Sequence, residues 1–119
     1  MKTHKDLIVW QKSIDFVTKV YKETGSFPKQ EMYGLISQLR RAAVSVPSNI
    51  AEGAARKTDK EYVRFLFIAR ASASEIETQL LISENLGYIK IGENNLKEDL
   101  LSISKMLTAL IHKISQRIA

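Results

Sequence analysis

The sequence LRRAAVSVPSNIAEGAAR, which spans Leu39–Arg56, decides how this chain folds. Apolar side chains recur in it at helical spacing, and its many alanines are typical of a helix rather than of a surface loop. Pro47 interrupts the pattern, because a proline inside a helix removes a backbone donor and costs about 3 kcal/mol. The stretch predicts a long helix kinked near Pro47, with a break at Ser45–Val46 as the alternative.

A glycine six residues beyond the proline adds a second constraint. Gly53 costs about 1 kcal/mol relative to alanine within a helix, so something must favour the absence of a side chain there. Close approach of another backbone would explain it. The same stretch therefore predicts that this helix packs tightly against a neighbour near Gly53.

Helical periodicity appears four times along the chain, and no segment alternates in the manner of a strand. The four stripes are Leu7, Trp10, Ile14, Val17 and Tyr21; Met32, Leu35, Leu39, Ala42, Val46 and Ile50; Tyr62, Leu66, Ala69, Ala73, Ile76 and Leu80; and Leu96, Leu100, Ile103, Leu107, Leu110 and Ile114. Between them lie residues that suit helix ends: Gly25, Pro28, Thr58 with Glu61, Gly87 and Gly92. Short connections favour antiparallel neighbours. The sequence predicts one all-α domain over residues 1–119, an antiparallel up-down-up-down four-helix bundle whose second helix is kinked near Pro47.

Composition limits the possible functions. The 119 residues contain no cysteine, which excludes disulfides, thiolate metal sites and cysteine nucleophiles. The apolar run Leu7–Trp10 is too short for a signal peptide or a membrane span. These features predict a cytoplasmic protein that does not enter a membrane.

Catalytic and cofactor motifs are missing from the sequence. The two histidines, His4 and His112, have no carboxylate at the spacing that di-iron helical bundles use. Glu77 and Glu84 share a helix face, and we interpret them as solvated charge. No phosphate-binding glycine loop, zinc spacing or nucleophile elbow occurs. The sequence predicts no catalytic residue, no metal site and no cofactor, and hence no enzyme.

Positive charge is concentrated in the middle of the chain, where residues 40–70 hold seven Lys/Arg against three Asp/Glu. A basic stripe along two helices could follow a phosphate backbone, mainly through charge and with weak sequence readout. The alternative is a solvated face, or pairing with nearby carboxylates. The candidate nucleic-acid-binding residues are Arg40, Arg41, Arg56, Lys57, Lys60, Arg64 and Arg70.

Further apolar positions flank the third and fourth stripes. They are Phe65, Phe67, Ile68, Leu101, Ile111 and Ile118. Such wide apolar faces indicate either a thick core or a second interface for self-association. Among the small residues of the third helix, Ala69 and Ala73 suit packing within one subunit, whereas Ser72 and Ser74 suit an interface.

Three segments carry a resemblance to a known family. They are DLIVWQKSIDF (Asp6–Phe16), YGLISQLRRAAVSVPSNIAEG (Tyr33–Gly53) and RFLFIARASASEIETQLLISENLGYI (Arg64–Ile89). The chain resembles the four-helix-bundle family of 23S rRNA intervening-sequence proteins over nearly its whole length. That family is similar to the accessory variability proteins of diversity-generating retroelements, which form homopentamers and bind nucleic acid. The chain departs from the family pattern at Ala71, where glycine is frequent, and at Ala73, where leucine is common.

The residues and the resemblance together predict a non-enzymatic, homo-oligomeric protein that binds nucleic acid through a basic surface. RNA, including rRNA, and DNA are the expected ligands, and the resemblance implies a homopentamer. The alternative is a protein-interaction scaffold or accessory subunit that makes no direct contact with nucleic acid.

Overall fold

The computed structural model describes residues 3–90, 92 and 94–118. Four α-helices occupy this part of the chain, which contains no strand: α1 (Ile8–Thr24), α2 (Leu35–Ala54), α3 (Asp59–Asn85) and α4 (Leu96–Ser115). Short 3-10 turns lie at His4–Asp6 and Lys29–Glu31. The prediction of an all-α fold with four helices is confirmed.

The helices pack around a shared core in an elongated molecule of 49 × 25 × 23 Å. α2 and α3 make the most extensive contact, and α1 and α4 close the arrangement by packing against each other as well as against α2 and α3 respectively. The predicted stripes of α2, α3 and α4 supply most of the core. Its fully buried members include Leu39, Ile50, Leu66, Ile76 and Leu107.

The core face of α1 differs from the predicted stripe. Val9, Ser13, Phe16, Val20 and Thr24 are buried there, whereas Ile14 and Tyr21 of the predicted stripe are exposed. Two hydroxyls take core positions because each is satisfied within its own helix. The hydroxyl of Ser13 donates to the Trp10 carbonyl at 2.7 Å, and that of Thr24 donates to the Val20 carbonyl at 2.7 Å. Apolar periodicity alone therefore does not predict that Ser13 and Thr24 are buried.

The start of α2 also differs from the expectation. Pro28 precedes the short turn Lys29–Glu31, and α2 begins at Leu35, so Met32 lies outside the helix and is exposed. From Leu35 to Ala54 the helix runs without interruption through the buried Pro47, and the alternative of a break at Ser45–Val46 is therefore not observed. The kink remains a prediction.

Gly53 lies where α2 meets α3, as the sequence predicts. A Cβ at this position would approach the Cβ of Phe65 to 2.8 Å and the carbonyl oxygen of Tyr62 to 3.1 Å. Further along the same contact, the Ser45 and Ser72 hydroxyls are hydrogen-bonded at 2.9 Å. Ser72 is thus part of the packing inside the subunit, contrary to its interpretation as an interface residue.

The ends of α3 follow the predicted signals. At the N-terminus the Thr58 hydroxyl accepts a hydrogen bond from the Glu61 backbone N–H at 3.2 Å. At the C-terminus Gly87 adopts φ 77°, which places the Tyr88 N–H on the Ser83 carbonyl at 2.9 Å. The Tyr88 hydroxyl then donates to Glu31 at 3.0 Å, which ties the end of α3 to the segment before α2.

Candidate nucleic-acid interface

The connection between α2 and α3 presents basic side chains to solvent. α2 ends at Ala54 and α3 begins at Asp59, so Arg56 and Lys57 stand in a short turn and both are exposed. Lys60 and Arg64 follow one turn apart on the same face of α3, and both are exposed as well. Four of the seven candidate residues therefore lie close together at one end of the molecule.

Phe65 holds two of these cations. The Arg56 guanidinium lies 4.7 Å from the centre of the Phe65 ring, and the Arg64 guanidinium lies 5.7 Å from it. Arg56 also donates to the Glu52 carboxylate at 2.6 Å. Cation–π contacts of this kind restrict the guanidinium while leaving its edge N–H groups available to an anion. We name Arg56, Lys57, Lys60, Arg64 and Phe65 the basic cluster.

Arg70 extends this surface along α3. Its guanidinium lies 4.8 Å from the centre of the Phe67 ring, and its Nη1 donates to the Thr108 hydroxyl of α4 at 3.5 Å. Phe67 in turn lines a concavity together with Lys60 and Arg64. Arg70 is thereby connected to the basic cluster through Phe67.

Arg40 belongs to the packing between α1 and α2 instead. Its Nε donates to the Thr24 hydroxyl at 2.9 Å, its Nη2 donates to the Tyr21 carbonyl at 3.2 Å, and its guanidinium lies 4.6 Å from the Tyr21 ring centre. Arg40 is also about 24 Å from Arg56 along α2, at 1.5 Å per residue. These contacts make Arg40 a structural residue of the α1–α2 contact.

Arg41 stands apart from both groups. It is exposed and borders a polar groove between α2 and α3 that is lined also by Gln38, Ser45, Ser72 and Glu75. The predicted stripe is therefore divided: five of its cations lie in the α2–α3 turn or on α3, whereas Arg40 and Arg41 lie on α2, about four helical turns before Arg56.

Comparison with sequence models of protein families shows to which family this chain belongs. The sequence model of the 23S rRNA-intervening sequence proteins matches residues 5–109, which is most of the chain. The chain belongs to the 23S rRNA-intervening sequence protein family. The resemblance seen in the three sequence segments is thereby confirmed at the level of the family.

A solved structure has the same fold as this family member. It is the crystal structure, at 1.70 Å resolution, of a protein of unknown function from the S23 ribosomal protein family of Bacteroides thetaiotaomicron VPI-5482. The TM-score is 0.80 at 23% sequence identity, and the match covers 88% of this chain and 96% of that one. At this identity the likeness establishes the fold. No curated protein matches the sequence.

Apolar periodicity does not reveal the aromatic partners of the cations in this family member. It predicts Phe65 and Phe67 as surplus apolar positions, whereas the structure places a guanidinium on each ring. One local signal could have found the second pair: Phe67 and Arg70 are three residues apart on α3, a spacing that brings side chains together. The Arg56–Phe65 pair joins the turn to α3, so it depends on how that turn folds.

Two tyrosines of the described residues have raised pKa values. Burial raises the pKa of Tyr62, and the nearby Asp59 adds to the rise while Arg117 opposes it. The hydrogen bond to Glu31 raises the pKa of Tyr88.

Within the described part of this family member, no three His, Asp or Glu side chains come together as metal ligands. None of the helices described has the length and apolar character needed to cross a bilayer.

Proposed function

We propose that this protein is a non-enzymatic, homo-oligomeric nucleic-acid-binding protein that contacts RNA, including rRNA, or DNA through the basic cluster. The observation that carries the proposal is the grouping of four exposed cations around the α2–α3 turn, two of them stacked on Phe65. Ordered guanidinium groups lose less side-chain freedom when they bind phosphate. The name of the family, which refers to a 23S rRNA intervening sequence, agrees with an RNA ligand.

The phosphate backbone is the part of the ligand that this surface fits. Lys and Arg side chains that neutralise phosphates release counterions, so affinity falls with salt concentration. For about five phosphates on a duplex, the slope of log affinity against log salt is about −4.5. Arg70, connected to the cluster through Phe67, extends the contact surface along α3, while Arg41 adds a separate exposed cation on α2.

A paired set of charge reversals tests the proposal. We expect Arg56→Glu, Lys60→Glu and Arg64→Glu together to abolish retention of rRNA fragments and of duplex in a filter-binding titration at about 50 mM salt. The matched control reverses Lys97, Lys105 and Lys113, three exposed lysines on α4, and so changes the net charge equally. Equal losses in the two variants, with unchanged helical circular dichroism, would contradict a localised interface.

The helical arrangement that supports this surface is part of the same proposal. We propose that the bundle runs antiparallel, up-down-up-down, with α2 kinked near Pro47. Contacts between α3 and the C-terminal part of the chain support the antiparallel order. Arg117, just after α4, lies 3.9 Å from Asp59, and Arg70 bonds Thr108 of α4, so residue numbers rise on one helix as they fall on the other. This order brings the α2–α3 turn and the C-terminus of α4 to one end of the molecule.

Self-association is proposed from two separate apolar patches. One lies between α1 and α2 and includes the exposed Ile14 and Val44; the other lies between α3 and α4 and includes Leu81 and Leu101. Contact between two different patches is heterologous, and heterologous contacts form a ring when the rotation between subunits closes. We therefore propose a ring, and the family resemblance implies a homopentamer. Light-scattering mass across a salt series tests the subunit number.

A second candidate function is a protein-interaction scaffold that does not itself contact nucleic acid. The groove between α3 and α4 favours it, because Leu81 and Leu101 are each more than half exposed there and Glu77, Glu84 and Lys97 border them. A nuclease-treated pull-down that recovers one specific protein, and loses it with Leu101→Asp, would favour the scaffold.

In either case we propose the cytoplasm as the site of action, which a cysteine-free chain suits.

A further inference from the structure

We propose that the concavity around Phe67 takes an unstacked base of a single-stranded RNA, so that the protein prefers a single strand to a duplex. This inference rests on the proposed function and names the form of nucleic acid bound. It depends on Phe67, which is 45% exposed on the outer face of α3. An exposed aromatic ring surrounded by cations is the arrangement on which single-stranded nucleic acids stack.

The chemistry of the site suits one nucleotide unit. All of its lining residues lie on α3, so the site is a shallow, open face of one helix, which a planar base can reach from solvent. Phe67, Ile68 and Ala71 give it an apolar floor, and Lys60 and Arg64 stand at its border. A base has an apolar face and a charged backbone attached to it. The apolar floor and the basic border match those two parts.

The ring is held in place by neighbouring elements. The Arg70 guanidinium stacks on Phe67 at 4.8 Å, and Arg70 is itself bonded to Thr108 of α4. Arg64 is restrained in the same way by Phe65. Lys60 lies one helical turn before Arg64, about 6 Å along the axis, so the two cations can contact successive positions of a flexible backbone. The site is therefore ordered before a ligand arrives.

Charge argues against a second copy of this chain at the same place. In a two-fold contact centred on Phe67, with the two α3 helices antiparallel, Arg64 of one subunit would meet Arg70 of the other. Like charges in close contact repel each other, which opposes this contact. Glu61 is the one carboxylate in the lining, and the Thr58 hydroxyl donates to it at 3.5 Å. A polyanion fits this border better than a like-charged partner does.

Three probes and three proteins test the inference. The probes are a fluorescently labelled 12-nucleotide oligoadenylate, an abasic strand of the same length, and a duplex of the same length. The proteins are the wild type, Phe67→Leu, which keeps an apolar side chain, and Ile82→Ala. The last is the control, because Ile82 is 44% exposed on the same helix but lies about 22 Å along the axis from Phe67. Dissociation constants are measured by fluorescence anisotropy, and masses by light scattering.

The expected result is a loss of affinity only for the probe with unpaired bases. Phe67→Leu should weaken binding of the oligoadenylate at least about fivefold, the lower end of what one stacked base contributes. Its affinity for the abasic strand and the duplex should change less than twofold, and Ile82→Ala should match the wild type on all three probes. Wild-type protein should bind the oligoadenylate more tightly than the abasic strand, and Phe67→Leu should lose most of that difference.

Other results overturn the inference in distinguishable ways. If the wild type binds duplex and single strand, but Phe67→Leu leaves the oligoadenylate affinity unchanged or weakens all probes equally, base stacking on Phe67 is wrong and the basic cluster stands. If Phe67→Leu lowers the light-scattering mass, the concavity is a contact between copies. If the wild type binds none of the probes, the proposed function fails together with the inference.

Discussion

A Cβ atom added to Gly53 would lie 2.8 Å from the Cβ of Phe65. The backbones of α2 and α3 therefore approach each other closely at Phe65, the residue on whose ring Arg56 and Arg64 stack. The absence of a side chain at residue 53 sets how close the two helices come. It consequently sets where Phe65, and the two guanidinium groups that it carries, stand relative to the α2–α3 turn.

Gly53→Ala should destabilise the protein, although alanine is the better helix former. The helix propensity gain is about 1 kcal/mol, but the new methyl group would meet a Cβ and a backbone carbonyl rather than the flexible end of a side chain. Overpacking of this kind costs about 1–3 kcal/mol, and here we expect the cost to exceed the gain. Urea unfolding measures the change. Gly92→Ala is the control, because nothing lies within 4 Å of a Cβ there, and it should not destabilise the fold.

Substitutions of Arg40 and Arg41 should have very different effects on the free energy of unfolding, although the two residues are neighbours. Arg40→Met removes two hydrogen bonds and one cation–π contact between α1 and α2, and we expect it to lower the free energy of unfolding by about 1–3 kcal/mol. Arg41→Met alters an exposed side chain and should stay within about 0.5 kcal/mol of the wild type. Thermal and urea unfolding of the two variants provide the test. Equal effects would contradict the structural role assigned to Arg40.

Glu52→Gln should tighten binding of nucleic acid. The Glu52 carboxylate lies 2.6 Å from the Arg56 guanidinium, and the two residues form an exposed ion pair four positions apart at the C-terminal end of α2. The negative charge of Glu52 repels phosphate. Such pairs contribute only about 0.3–0.5 kcal/mol to stability, so the fold should change little. We expect about two- to fivefold higher affinity for RNA at low salt. Glu84→Gln, an equal charge change in the α3–α4 groove, should leave the affinity unchanged if the basic cluster is the interface.

The bond between Tyr88 and Glu31 should make part of the stability depend on alkaline pH. Donation to the Glu31 carboxylate raises the pKa of Tyr88 above its ordinary value of 10.0. Because the pKa is higher in the folded state, this stabilisation is complete below about pH 10 and is lost as the pH rises through the folded pKa. The unfolding free energies of the wild type and Tyr88→Phe should therefore differ by a constant amount near neutral pH and converge above about pH 10.

A control separates this effect from general alkaline unfolding. Tyr33 is 96% exposed, and Tyr33→Phe should give no such pH-dependent difference. Urea unfolding at a series of pH values measures all three proteins. A difference for Tyr88→Phe that grows with pH would show that the phenol hydroxyl is not the donor.

Much of the fold could be predicted from the sequence because it depends on local spacing. The stripes of α2, α3 and α4 are buried largely as predicted, and Thr58 and Gly87 mark the ends of α3. α1 could not be predicted in the same way. Ser13 and Thr24 enter the core only because their hydroxyls bond backbone carbonyls of the same helix, while Ile14 is left on the surface. Which face of a helix is buried depends on its neighbours as well as on its own pattern.

The candidate interface was predictable to a similar degree. The concentration of cations between residues 40 and 70 is visible in the sequence, and four of them follow one another closely enough to predict a cluster. Arg40 has the same chemistry as Arg56, yet its guanidinium lies on Tyr21 of α1. No spacing along the chain distinguishes the two, because the difference comes from the side chains that face them on other elements.

By itself, the sequence determined that the described part of the chain forms four helices, where α3 begins and ends, and that the positive charge lies in the middle of the chain. Each of these follows from residues within a few positions of one another, where propensity, capping and charge act directly. Only the tertiary structure decided that α1 buries Ser13, that Arg40 serves packing, and that Phe65 and Phe67 carry the exposed cations. Those outcomes depend on contacts between helices, and such contacts exist only after the four elements have packed around one core.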